Sequence, residues 1–203
     1  MDDAGIKKGK IAVGFSPASD VEQALKEVSR RIRQQLDVSG IDICYVFFNF
    51  SSRQLEKLPY HIKMTLNPRI SVGVQTPILI YNQNMYRHGL TAVAFSGFET
   101  GASVSFDSKN MGEATEKYAW RMSQEVKKTK SLYLGFSNVE AEELSAHMQG
   151  LEIGIGTRVR MVNGFMCPGV HGREQRLLYN EQLLERGATG GVFCNDLSSY
   201  IRS

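Results

Sequence analysis

The stretch Cys167-Pro-Gly-Val-His-Gly-Arg173 brings a thiol, an imidazole and a guanidinium into one short run. Arg173 can hold a carboxylate through paired N–H donors. His171 can serve as the single axial ligand of a non-covalently bound haem. There is no CxxCH motif, which argues against covalent haem attachment. Cys167 and His171 alone do not make a tetrahedral zinc site, which needs more ligands close by. No metal site is therefore expected, and His61, His88 and His147 read as surface histidines.

A second group of candidates lies where apolar runs give way to helices. Gly14-Phe15-Ser16, Asn49-Phe50-Ser51 and Gly135-Phe136-Ser137 each place a serine at or just before a helix start. Free backbone N–H groups there attract carboxylates and phosphates, although serine also serves simply as a helix cap. Two glycine turns, Gly73-Val-Gln75-Thr76 and Gly164-Phe-Met-Cys167, either let the backbone approach a ligand or serve simply as bulges or tight turns. The expected ligand-binding set is Ser16, Ser51, Gly73, Gln75, Thr76, Asn163, Gly164, Cys167, His171 and Arg173.

Catalytic signatures are missing: there is no GxSxG elbow, P-loop lysine, HExxH or helix-opening GxGxxG. Binding without catalysis is the expectation. A net charge of +3 is too small to argue for nucleic acid, and the Lys127-Lys-Thr-Lys130 run reads as a solvated helix end. No apolar run approaches the ~20 residues of a membrane span. The first ten residues lack the apolar segment of a signal peptide. Cys44, Cys167 and Cys194 make an odd count without framework spacing, as expected in a reducing cytoplasm.

The elements that position these residues follow from periodicity. Ile11–Ser16 reads as a strand. Val21, Leu25, Val28, Ile32 and Leu36 form one helical stripe. Ile43–Phe50 is a nearly continuous apolar run, as in a strand buried on both faces. Leu55, Leu58, Ile62 and Leu66 mark a helix that kinks or restarts at Pro59. Ile70–Val74, Ile78–Tyr81 and Leu90–Phe95, joined by turns, predict an antiparallel meander. Ser19/Glu22, Ser51/Gln54 and Ser137/Glu140 have the spacing of capping boxes.

The chain then repeats itself. Tyr81–Phe95 aligns without a gap on Tyr179–Phe193, with identities at Tyr81/Tyr179, Asn82/Asn180, Gly89/Gly187, Thr91/Thr189 and Phe95/Phe193. The separation from Phe15 to Gly73 (73 − 15 = 58) equals that from Phe106 to Gly164 (164 − 106 = 58). So long a period indicates a duplicated half-domain. The expected fold class is mixed α/β: two pseudo-equivalent β-α-β-α-β-β-β halves, residues 10–100 and 101–196, within one domain spanning 1–203. A layered α-β-β-α sandwich is the expected packing. The second copy gains residues around Cys167–Arg173, and loops on a rigid scaffold are where binding residues concentrate.

The order of motifs resembles the N-terminal domain of the FIST family. The resemblance rests on Ile11-Ala-Val-Gly-Phe-Ser16, Cys44–Phe48, Val72-Gly73, Val162-Asn-Gly164, Leu178-Tyr-Asn180 and Gly187-Ala-Thr-Gly-Gly-Val192. It implies a sensory domain that binds a small ligand, with amino acids proposed for some members. One branch of the family binds haem and senses nitric oxide. The resemblance also implies a C-terminal companion or a signalling output partner. Where the family usually has two glycines, this chain has Asn163-Gly164, an asparagine that either adds a hydrogen-bonding amide to the site or is simply tolerated. An interaction module that forms a homo-oligomer is the remaining alternative.

Overall fold

The computed structural model describes residues 9–36, 40–105, 110–125, 131–155, 160–166 and 175–194. Lys127–Lys130, Phe106, Cys167, His171 and Arg173 lie outside them. The architecture is mixed α/β.

The first half runs β1 (Lys10–Ser16), α1 (Val21–Gln35), β2 (Ile43–Asn49), α2 (Ser52–Leu55), α3 (Leu58–Thr65), β3 (Ile70–Gln75), β4 (Leu79–Tyr81), β5 (Asn84–Tyr86) and β6 (Gly89–Ser96). The second half repeats this with β7 (Glu99–Ser105), α4 (Met111–Glu125), β8 (Ser131–Asn138), a 3-10 turn (Ala141–Glu143), α5 (Leu144–Ile155), β9 (Arg160–Met166), β10 (Leu177–Tyr179), β11 (Gln182–Leu184) and β12 (Gly187–Cys194). The strand orders β1-β6-β2-β3 and β7-β12-β8-β9 are the same topology written twice. In each, the last strand inserts antiparallel between the first two, and the third lies parallel to the second.

Ladder registers correct the alignment of the copies. Phe15 and Val104 occupy equivalent places opposite Thr91 and Thr189, so the counterpart of Phe15 is Val104 and not Phe106. Gly73 pairs with Val46 and Asn163 with Gly135, which makes Asn163, not Gly164, the counterpart of Gly73. Asn49 and Asn138 are a matched pair that the alignment missed. The Asn49 amide donates to the Pro77 and Arg87 carbonyls at 3.0 and 2.7 Å. The Asn138 amide donates to those of Gln175, at 3.2 Å, and Glu185. Each therefore ties down both ends of its hairpin. The identities that the copies retain are partly conformational. Asn82 and Asn180 have φ of 46° and 50°, and Gly89 and Gly187 have φ of 119° and 122°. These are left-handed positions that asparagine and, above all, glycine adopt at least cost.

The predicted meander is replaced by a different arrangement. Two three-residue strands flank each hairpin turn, so each unit carries one more strand than expected. Among the described residues β4 pairs only with β5, whereas β10 crosses to the other half and pairs antiparallel with β3. The first sheet therefore has six strands, β1-β6-β2-β3-β10-β11, and the second has four.

Three clusters hold the layers together. The stripe Val21, Leu25, Val28, Ile32 and Leu36 packs with Leu58, Ile62 and Leu66 onto one face of the first sheet. Tyr45, Val72, Val74 and Leu177 meet Leu134 and Phe136 between the sheets. There the rings of Phe47 and Phe136 meet edge-on at 5.4 Å, and the Tyr45 hydroxyl donates to the Leu134 carbonyl at 2.8 Å. Tyr118, Tyr133 and Leu151 fill the third cluster, beneath α4 and α5.

The caps differ from expectation. Asp20, not Ser19, caps α1, its carboxylate accepting from the Gln23 amide at 2.9 Å. Gln54 turns away from Ser51 and joins that cap: its Oε1 accepts from the Val21 amide and its Nε2 donates to Asp20. In the second half Glu140 and Glu143 form the capping box, displacing the Ser137/Glu140 pairing. Of the two expectations for Pro59, the restart is the one observed: it lies in the first turn of α3. Among the described residues, no helix is long and apolar enough to cross a membrane.

Candidate functional site

Ser16, Leu90, Phe48 and Gln75 stand abreast on neighbouring strands, so Ser16, Gln75 and Thr76 share one edge of the first sheet. They do not share one pocket. Ser16 and Gln75 are three strand spacings apart, about 14 Å at ~4.8 Å each.

Ser16 is fully buried and its hydroxyl donates to Glu27 Oε2 at 2.8 Å, which ties the end of β1 to α1. That hydrogen bond is the main reason the Glu27 carboxyl lies below its ordinary range. Ser51 is exposed and precedes only a single turn of helix, and its side chain makes no capping bond. Gly73 and Gly164 lie inside β3 and β9, so neither forms the expected turn. Gly73 is needed because a Cβ there would collide with the Val46 carbonyl of the adjacent strand.

Gln75 Oε1 and Thr76 Oγ1 are buried without a hydrogen-bond partner. The Gln75 amide donates to the Arg176 carbonyl at 2.8 Å, so Gln75 sits where β3 meets the start of β10. Gln175 Oε1 and Asn138 Oδ1 are buried and unpartnered at the same junction. Thr91 and Thr189, a matched pair, also have buried, unpartnered hydroxyls. They stand in register with Phe47 and Phe136, on the strand faces that meet between the sheets.

Asn163 belongs to a separate polar cluster that the sequence did not reveal. His147 is fully buried, contrary to its reading as a surface residue. Its Nδ1 lies 2.9 Å from Thr115 Oγ1 and its Nε2 lies 2.6 Å from Ser137 Oγ. Asn163 Nδ2 donates to Ser137 Oγ at 2.8 Å and stands 3.2 Å from His147 Nε2. This network assigns the proton to Nδ1, leaving Nε2 as the acceptor. Burial pushes the imidazole pKa down to about 4, so the ring is neutral at pH 7. Serine beside histidine is also the arrangement of an activated nucleophile. Here Ser137, His147 and Thr115 all lack solvent exposure, so the cluster reads as an internal network, in which Asn163 Oδ1 alone is buried without a partner. A polar residue at the end of β8 followed by a histidine on the next helix was the available signal.

The groove that can take a ligand opens at the opposite edge, before β2 and β3. It has a volume of about 580 Å³, with walls from Ile41, Asp42, Lys63, Asn67, Arg69 and Phe98. A second pocket of about 150 Å³ shares Lys63 and Arg69 and adds Ser71, Asn180 and Glu181. Strand pairing shapes the wall: the Arg69 amide donates to the Ile41 carbonyl at 2.8 Å and the Ile70 amide to the Asp42 carbonyl at 3.1 Å. Asn67, at φ 48°, turns the chain out of α3. Asp42 Oδ2 accepts from the Gly97 and Phe98 amides at 2.6 and 3.0 Å, pinning the opposite wall. Arg69 donates to the carbonyl and hydroxyl of Thr100.

The groove thus combines Lys63, Arg69 and Asp42 with Ile41 and Phe98 as apolar surface, and Glu181 joins Lys63 and Arg69 in the second pocket. Sequence reasoning missed these residues because α/β sheets usually bind ligands beyond the carboxyl ends of their strands. The usable signal was Asn67-Pro68-Arg69 ending a helix just before a strand. Among the described residues, no group of three or more His, Cys, Asp or Glu side chains could hold a metal. Cys44 is buried, which pushes its thiol up to about 12 and leaves it unreactive. No protein-family model and no curated protein sequence matches the chain.

Proposed function

We propose that this chain is an intracellular small-molecule-binding module of the sensory kind its motif order resembles. Its ligand is zwitterionic, in the simplest case an amino acid, and sits in the groove before β2 and β3. The observation that carries this reading is the presence of both charge signs at one place on the sheet: Lys63 and Arg69 for a carboxylate, with Asp42 in the same groove and Glu181 in the adjoining pocket for an ammonium. The volume of about 580 Å³ falls within the range of small-ligand sites. The lining supplies charges and apolar surface rather than a paired nucleophile and base, which favours binding over turnover. Signal output then falls to a companion domain or partner protein.

The test is calorimetric titration of the full chain with free amino acids, alongside their carboxylate-only and amine-only analogues. Zwitterions should bind best. Lys63 is exposed, so Lys63→Ala should leave the fold intact. It should weaken binding roughly 10- to 100-fold, the usual worth of a hydrogen bond to a charged group. Absence of heat across the panel, or undiminished binding by Lys63→Ala, would overturn the assignment.

A further inference from the structure

The two hairpins are the same object in two different circumstances. In β10–β11, Leu178 faces Leu183 across the ladder, and in β4–β5 Ile80 faces Met85 at the matching positions. Leu178 is fully buried and Leu183 packs against the same core, because β10 is paired to β3. Ile80 and Met85 remain 68% and 74% exposed. The first hairpin thus has the apolar face of a docked hairpin without a dock.

The structure also contains the matching dock. β9 is the counterpart of β3, and among the described residues its only strand partner is β8. Among the described residues no strand pairs with its outer edge, and Val162, counterpart of the fully buried Val72, is 54% exposed. An open edge that carries exposed apolar residues is a template for another strand.

We propose that the β4–β5 hairpin of one copy adds to the β9 edge of a second copy, and that the second copy returns the same contact. The register follows from the occupied edge. Leu177, Leu178 and Tyr179 pair with Val74, Gly73 and Val72. By equivalence, Leu79, Ile80 and Tyr81 pair with Gly164, Asn163 and Val162. The end of the ladder is specified too. The Asn180 amide donates to the Ser71 carbonyl at 2.8 Å, and its Oδ1 accepts from the Ser71 amide at 2.9 Å. Asn82 has the same left-handed backbone and is placed to do likewise at Met161.

A second copy is the occupant because the hairpin is held against its own half. Asn49 ties both of its ends, and Tyr81 and Tyr86 pack on Phe15 at 4.5 and 4.6 Å. Among the described residues, β4 in that position has no strand partner but β5 and no strand covers the β9 edge, so each copy offers one free hairpin and one free edge. Mutual exchange closes the pair under two-fold symmetry. This inference does not depend on the ligand groove.

The test is the solution mass of the full chain by light scattering across a concentration series. The parent should rise from 22.7 kDa to twice that mass. Ile80→Asp/Met85→Asp changes only exposed side chains and should keep the parent's circular dichroism while staying at 22.7 kDa. Phe165→Pro removes the backbone donor equivalent to that of Gln75, at an edge where proline is tolerated. It should also be monomeric. Mixing the two variants restores one good hairpin and one good edge, and should recover a dimer. A parent that stays monomeric, or a double aspartate variant that dimerises like the parent, would overturn the proposal. A monomeric parent whose β9 amides are nonetheless protected from hydrogen exchange would overturn it by placing the hairpin on its own edge.

Discussion

His147 should make the protein sensitive to mild acid. The side chain lies at the centre of the buried Thr115–Ser137–Asn163 network, and burial lowers its pKa from 6.5 to about 4. The folded state therefore holds the ring neutral, whereas the unfolded chain protonates it below pH 6.5. Stability is fully present above pH 6.5 and falls as pH drops toward 4, because the unfolded state takes up the proton first. The slope is about 1.4 kcal/mol per pH unit. From 6.5 to 5 the loss is about 2 kcal/mol, and the full 2.5-unit window gives about 3 kcal/mol. Protonation would also turn Nε2 from acceptor to donor against the Asn163 amide and the Ser137 hydroxyl that already face it. Urea unfolding at pH 7.5, 6.5, 5.5 and 5 measures the effect directly. His147→Gln keeps a buried group with both donor and acceptor but removes the titration. It should be less stable at pH 7.5 and much flatter in its pH dependence above 5. Parallel pH profiles for parent and variant would refute this account of the cluster. Glu27 and Glu143, whose carboxyls lie below their ordinary range, add acid sensitivity only as pH approaches 4.5 and lower, outside the diagnostic window.

Two further outcomes test how the layers are joined. Tyr45→Phe leaves the Leu134 carbonyl without the hydroxyl that bridges the two sheets, and should cost about 1–2 kcal/mol in urea unfolding. Gly135→Ala would drive a Cβ into the Tyr133 ring and hydroxyl, which cannot easily retreat because that ring is buried and hydrogen-bonded to Tyr118 at 2.9 Å. It should cost about 1–3 kcal/mol, measured in the same way.

Much of the local structure could be read from residue order. The stripe from Val21 to Leu36 lies buried along α1 because a helix repeats every 3.6 residues and one core faces it. The apolar run Ile43–Asn49 became a central strand with neighbours on both sides. The junction serines do lie near strand ends, but their chemistry did not follow from that position. Ser16 is occupied by Glu27, and Ser137 by His147 and Asn163, partners that no local pattern announces. Asp20 displaced Ser19 as a cap by one residue, a distinction set by where the first turn closes rather than by which residue type is present. The groove residues Asp42, Lys63 and Arg69 looked like ordinary strand and helix ends. Only the parallel pairing of β2 with β3 brings them to one wall.

The amino-acid sequence by itself determined that one unit occurs twice and where its helices and longer strands lie, because these depend on side-chain period. Only the tertiary structure decided which edges those strands join. Among the described residues β10 reaches β3 while its twin β4 pairs with β5 alone, although the two hairpins read alike. Backbone hydrogen bonds between strands carry no residue code of their own, so the choice falls to which edge is within reach and which apolar faces can be buried there.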